Sequence, residues 1–215
     1  MQVTNFHLLL TISCAWLILQ EQTILACFLL IVKGVIDAVD GELARMRERP
    51  SHVGRYWDTV ADTIGLVAVM WAFGTLFAWE LWLTFVLILA TLFQYSLFNH
   101  YSILMRTLGT GDATSRIDER ERPTAFPWEK QRTVNFFHSL YLVFFSWQDR
   151  IIAGLTGDGS EDLRFELTVS STLGFGMQSL IIFALAVSEN LSLLPELILG
   201  VNMAMMALVF IRSRL

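Results

Sequence analysis

Four aspartates, Asp37, Asp40, Asp58 and Asp62, stand within "DAVDGELARMRERPSHVGRYWDTVAD", residues 37–62, and their type and spacing suit the capture of a hard cation. In a helix, Asp37, Asp40, Gly41 and Ala44 fall at i, i+3, i+4 and i+7 and share one stripe. Gly54, Asp58 and Asp62, at i, i+4 and i+8, form a second. Between them "RERPSH" supplies a proline and polar residues, a turn that lets two helices lie antiparallel with the stripes facing. Carboxylates brought that close repel one another, and the remedies are protonation, arginine pairing or a bound cation. An oxygen-only ligand set suits Mg²⁺ or Mn²⁺ rather than zinc. Two such ions, about 3.5–4 Å apart and bridged by shared carboxylates, make the clamp used in phosphoryl transfer. The small residues Gly41, Ala44 and Gly54 allow a ligand to approach the helix backbones. A single aspartate at a helix end is commonly interfacial and could pair with Arg45, Arg47, Arg49 or Arg55. Four on matched, glycine-flanked stripes read as a site, because ionisable groups are costly in a membrane without a function.

The elements that must position these residues are membrane helices. The 215-residue chain is 54% hydrophobic with a mean hydropathy of +0.54, against roughly 45–50% apolar content in soluble domains. Its apolar residues come in blocks of the roughly 20 residues that cross a hydrocarbon core about 30 Å thick. Spans are expected near 5–19, 23–47, 53–77, 80–105, 165–187 and 193–211. The segment "TVNFFHSLYLVFFSWQDRIIAGL", 133–155, is interrupted by His138, Gln148, Asp149 and Arg150 and reads as an interfacial or buried helix. The expected fold is therefore an all-α integral membrane domain covering 1–215, with about six transmembrane helices and an interfacial helix between the fourth and fifth.

Charge sets the orientation. Arg45, Arg47, Arg49 and Arg55 follow the second span; Arg106, Arg116, Arg120, Arg122, Lys130 and Arg132 follow the fourth; Arg212 and Arg214 close the chain. The turns at 20–22, 78–80 and 188–192 carry no Lys or Arg. Six spans place all three basic groups on one face, which the positive-inside rule makes cytoplasmic. The first span is short: about 15 residues at 1.5 Å each reach only about 22 Å, so it ends in the interface or thins the bilayer. It lacks a basic n-region and a small-residue cleavage site, so it is expected to stay in the mature protein. Cys14 and Cys27 lie in apolar runs and form neither a disulfide framework nor a zinc site. A net charge of −5 gives no support to a nucleic-acid partner.

The full pattern is Asp37, two residues, Asp40-Gly41, two residues, Ala44-Arg45, eight residues, Gly54, three residues, Asp58, three residues, Asp62. At all eight fixed positions it resembles the signature of the CDP-alcohol phosphotransferase (CDP-alcohol phosphatidyltransferase) family, multi-pass membrane enzymes of phospholipid biosynthesis. The resemblance implies a transferase that cleaves the pyrophosphate of a CDP-linked donor, passes the phospho-group to an alcohol acceptor and releases CMP. It implies two ions, Mg²⁺ or Mn²⁺, with Asp37 and Asp58 bridging them, Asp40 completing the first site and Asp62 the second. Asp62 would also be the general base, and Gly41, Ala44, Arg45 and Gly54 would hold the CDP moiety, with a further polar contact from Ser51. Where the family often begins with Thr-Pro-Asn, "VTNFHLLLT" keeps Thr4 and Asn5 without the proline.

The basic loop from Arg106 to Arg132 favours CDP-diacylglycerol with a polar acceptor over CDP-choline or CDP-ethanolamine with diacylglycerol, although positive-inside placement also accounts for it. His100, beside Gln94 and Asn99 on the fourth span, is a candidate for the acceptor pocket; the plainer reading of these polar residues is helix-to-helix hydrogen bonding. A cation transporter would spread its acids across the membrane depth, and a catalytically dead scaffold would not need the whole motif. Trp71, Trp79 and Trp82 read as an aromatic belt. "GFG" at 174–176 marks close helix packing, with a homodimer as one use of it. The expected location is the cell membrane, with the active site facing the cytoplasm.

Overall fold

Among the described residues, apolar runs of helical length form seven α-helices. The computed structural model describes residues 2–45, 49–108, 121–156, 165, 168, 169, 171 and 174–212. Helices α1 (Gln2–Leu19), α2 (Thr23–Arg45), α3 (His52–Leu76) and α4 (Leu81–Leu108) are followed by α5 (Gln131–Thr156), α6 (Phe175–Val187) and α7 (Leu194–Arg212). A single 3₁₀ turn, Leu191–Leu193, leads into α7, and no strand occurs among the described residues. Three helical stretches, Gln2–Leu19, His52–Leu76 and Leu81–Ile103, are long and apolar enough to cross a membrane, and α6 and α7 contain shorter apolar helices. The chain is an all-helical membrane protein. Large apolar residues such as Leu9, Trp16, Trp82, Val143 and Met203 are exposed, as a lipid-facing surface requires, since apolar patches of that extent are rare on soluble monomers.

The turns lacking Lys and Arg share one construction. α1, α3 and α6 each end with an amide bonding back five residues: Gln22 to Leu17, Trp79 to Gly74 and Asn190 to Leu185. A non-glycine residue with positive φ precedes each donor: Glu21 at 62°, Ala78 at 50° and Glu189 at 60°. These closures satisfy carbonyls that a helix end would otherwise leave unpaired.

Near those turns lies the main apolar core. Cys14 and Ile18 of α1, Cys27 and Leu30 of α2, Phe73 of α3, Leu87 of α4, Ile182 of α6 and Leu194 of α7 are all buried in it. Both cysteines are free and buried. α1 packs most extensively on α3 and then on α2, while α6 packs on α2 and α7 on α4. At Gly65 of α3 the approach of α1 is so close that a Cβ would stand 2.8 Å from Thr11 Cγ2.

The segment that broke the apolar pattern is a full helix of 26 residues, α5. Its buried stripe, Val134, His138, Tyr141, Phe145, Gln148 and Ile152, follows helical spacing and lies against α3 and α4. Two of the polar residues that lower its hydropathy face inward: Gln148 accepts from Ser96 of α4, and His138 packs on Tyr56 of α3. Arg150 is exposed, and the Asp149 side chain lies outside the described residues. The expected fifth span near 165–187 corresponds to α6, which begins at Phe175; residues 166, 167, 170, 172 and 173 lie outside the description.

Candidate active site

The two predicted aspartate stripes lie on α2 and α3, each of which packs mainly against α1 rather than against the other. Ser51 starts α3: its backbone is extended, and its hydroxyl accepts from Gly54 N at 2.9 Å. That hydroxyl also donates to Glu129 Oε1 at 2.7 Å. The same carboxylate accepts from Val53 N at 3.0 Å and from His52 N at 3.3 Å. A carboxylate at a helix N-terminus satisfies orphan amides and complements the dipole. Trp128 donates to Pro50 O at 2.9 Å and Phe126 stacks on His52, so the chain just before α5 straps down the α2–α3 turn. Ser51 is thus engaged as a cap. Gly54 lies beside it, where a Cβ would meet Ser51 Oγ at 3.3 Å.

All four predicted aspartates come together, in two groups. Asp37 and Asp62 form one and Asp40 and Asp58 the other, and within each group the ligand atoms lie within 4.8 Å of one another. Both groups contain His7 of α1, a residue the motif does not include. Its ring is fully buried. Nε2 stands 3.5 Å from Asp58 Oδ1 and 3.7 Å from Asp37 Oδ1, and Nδ1 stands 3.9 Å from Asp62 Oδ1. These separations exceed hydrogen-bond length, and neither ring nitrogen has a hydrogen-bond partner among the described residues. A sequence signal existed: in an otherwise apolar helix, Thr4, His7 and Thr11 share a face and are all buried.

A second addition is Lys33, one turn before Asp37. It is 4% exposed, and its Nζ lies 2.5 Å from Asp62 Oδ1 and 3.7 Å from Asp37 Oδ2. An ammonium so placed offsets part of the repulsion among the four carboxylates. An ionisable residue inside an apolar helix, at i−4 from an aspartate, was itself a signal. The N-terminus is fastened alongside, because Trp57 Nε1 donates to Asn5 Oδ1 at 2.8 Å.

The residues fit a hard divalent cation. Carboxylates converge from two helices, and the buried Asp58 Oδ1 and both His7 nitrogens lack hydrogen-bond partners among the described residues. Such atoms are costly to bury without a ligand. On α2, Gly41 is half-buried and Ala44 exposed. Arg45 ends the helix, its side chain outside the described residues, as are Arg47, Arg116, Arg120 and Arg214 and the side chains of Arg106 and Arg212. Arg122, Lys130 and Arg132 are exposed. His100 packs edge-on against Tyr101 at 5.6 Å and belongs to neither carboxylate group. Its neighbour Gln94 takes the helix-bonding role, accepting from Gln178 of α6.

The model of one protein family, described as CDP-alcohol phosphatidyltransferase, matches residues 1–158, which contain every residue of the site. No curated protein and no solved structure matches the chain.

Proposed function

We propose one reaction from one premise: the chain belongs to the CDP-alcohol phosphatidyltransferase family, whose members transfer a phosphate-linked group from a CDP-alcohol to an alcohol acceptor in a membrane. The reaction is transfer of a phosphatidyl group from CDP-diacylglycerol to a polar alcohol, releasing CMP, as a step of phospholipid biosynthesis. The observation that carries it is the convergence of Asp37, Asp40, Asp58 and Asp62 from two helices in a partly buried site. Acids gathered at one level suit a site better than an ion pathway.

The acceptor oxygen attacks the β-phosphorus, the bond from that phosphorus to the CMP oxygen breaks, and the hydroxyl proton passes to Asp62. Lys33 holds Asp62 Oδ1 and fixes the carboxylate, leaving Oδ2 as the proposed proton acceptor. Asp37, Asp40, Asp58 and Asp62 would hold two ions, Mg²⁺ or Mn²⁺, which when bound supply charge neutralisation at the pyrophosphate. Arg45 would grip phosphate oxygens with its guanidinium fork, Gly41, Ala44 and Gly54 would admit the nucleotide, and Ser51 would add a contact through its cap. His100 is kept as a candidate for the acceptor side.

A lipid donor is supported by an open apolar groove of about 590 Å³ between α2 and α6, lined by Ile31, Gly34, Val35, Val39 and Leu180 among others. Gly34 and Gly41, at i and i+7, share the stripe that borders both this groove and the aspartate face. Residues 1–215 would act as one domain in the cell membrane, the site facing the cytoplasm where the arginines gather, and a homodimer is an option left to α6.

The test is CMP release by purified protein in vesicles with Mg²⁺ or Mn²⁺ and a panel of CDP donors and alcohols. CDP-diacylglycerol should support release, and Asp62→Asn should not. If no donor and acceptor pair gives CMP above the level of the variant, the reading fails.

A further inference from the structure

The aspartates account for oxygen ligands only, yet the residue common to both carboxylate groups is a histidine from a different helix. We infer that His7 is a nitrogen ligand to a divalent ion in this site, so that the ion ties α1 to the α2–α3 pair and Mn²⁺ is held in preference to Mg²⁺. The inference rests on the proposed reading only for the presence of a divalent ion.

Three observations carry it. The ring is fully buried, and both nitrogens are without hydrogen-bond partners among the described residues, an arrangement that costs free energy unless something occupies it. The nitrogen-to-oxygen distances are 3.5, 3.7 and 3.9 Å. All three exceed hydrogen-bond length, while the ligand atoms of each group lie within 4.8 Å of one another, close enough for one ion to be shared. Finally, the backbone that carries the ring is fixed: Thr11 Oγ1 donates to the His7 backbone O at 2.7 Å, and Thr11 packs against Gly65 of α3. Transition-series divalent ions, Mn²⁺ among them, accept an imidazole ligand more readily than Mg²⁺, which prefers an oxygen shell.

The experiment loads the purified full chain with Mn²⁺, without any CDP compound, and records its spin-echo modulation. A ¹⁴N coupling should appear, change to a ¹⁵N coupling when the chain carries ¹⁵N-histidine, and vanish in His7→Gln. Mn²⁺ should bind His7→Gln at least about tenfold more weakly, with a smaller loss for Mg²⁺. Absence of a histidine nitrogen coupling in the Mn²⁺-loaded wild-type chain overturns the inference, whatever the variant does. So does a coupling that survives in a folded His7→Gln, or failure of Mn²⁺ to bind. CMP release supported by Mg²⁺ would stand through any of those failures, and a nitrogen coupling would stand if no CDP donor were turned over.

Discussion

The same three helices, α1, α2 and α3, build two unlike halves. Toward the turns lacking Lys and Arg, Cys14, Ile18, Cys27, Leu30, Leu66 and Phe73 pack into a dry core with α4, α6 and α7. Toward the opposite end, α1, α2 and α3 carry His7, Lys33 and the four aspartates, and His7 and Asp58 there have buried polar atoms with no hydrogen-bond partner among the described residues. Between the halves stand Thr11 and Gly65 in close contact. One half is packed apolar side chains, whereas the other gathers charged groups that the proposed ions would complete. Marginal polar satisfaction is tolerable at the site because the rigid half of each helix fixes the positions of its charged residues.

The sharpest way to separate the halves is a pair of substitutions. Asp62→Asn should lower CMP release by about 10²–10⁴-fold, the usual worth of a positioned general base, with a smaller stability loss than Phe73→Ala because the amide oxygen still accepts from Lys33. Phe73→Ala should do the reverse, costing about 3 kcal/mol of stability through the cavity it leaves, with CMP release per folded molecule retained. If both variants lost activity and stability together, the division would be wrong.

A comparable effect is expected at Lys33. Lys33→Met strands Asp62 among three other carboxylates and should destabilise the metal-free protein by about 3 kcal/mol. Added Mn²⁺ should then raise the unfolding temperature, read by tryptophan fluorescence, more than in the wild type. An equal shift in both proteins would mean that ammonium and ion do not compete for the same oxygens.

Gly65→Ala probes the joint between the halves. Its Cβ would lie too close to Thr11 Cγ2, so α1 must shift, at a cost of about 1–3 kcal/mol. Mn²⁺ affinity should fall as well, because His7 moves with the helix. Thermal unfolding with a Mn²⁺ titration checks both, and stability loss with unchanged affinity would detach α1 from the site. The smallest effect belongs to the strap: Ser51→Ala removes the α3 cap and should cost about 1 kcal/mol, as seen in denaturant unfolding.

The chain's local pattern made much of this legible. Helix bounds came close because apolar runs of spanning length leave few alternatives in a membrane. The segment 133–155 was harder to read, since His138 and Gln148 lowered its hydropathy, yet both are buried on the stripe of α5 that meets its neighbours. Gln94 was foreseen as a helix-to-helix link, but its partner, Gln178, could not be named. Glu129, two residues after Pro127, gave no sign that it would seat on the N-terminus of α3.

What the sequence determined by itself was the family, the helical class and the four aspartates on two facing stripes. The stripes follow from spacing within residues 37–62, which helical periodicity converts directly into a common face, and the helical class follows from apolar runs of spanning length. Tertiary structure alone decided that His7 and Lys33 join them. Lys33 and Asp62 lie 29 residues apart, and His7 reaches the site through the depth and rotation of α1, which the contact of Thr11 with Gly65 helps to set. Helical periodicity fixes which residues share a face on one helix; which faces meet across helices is fixed by close packing between them.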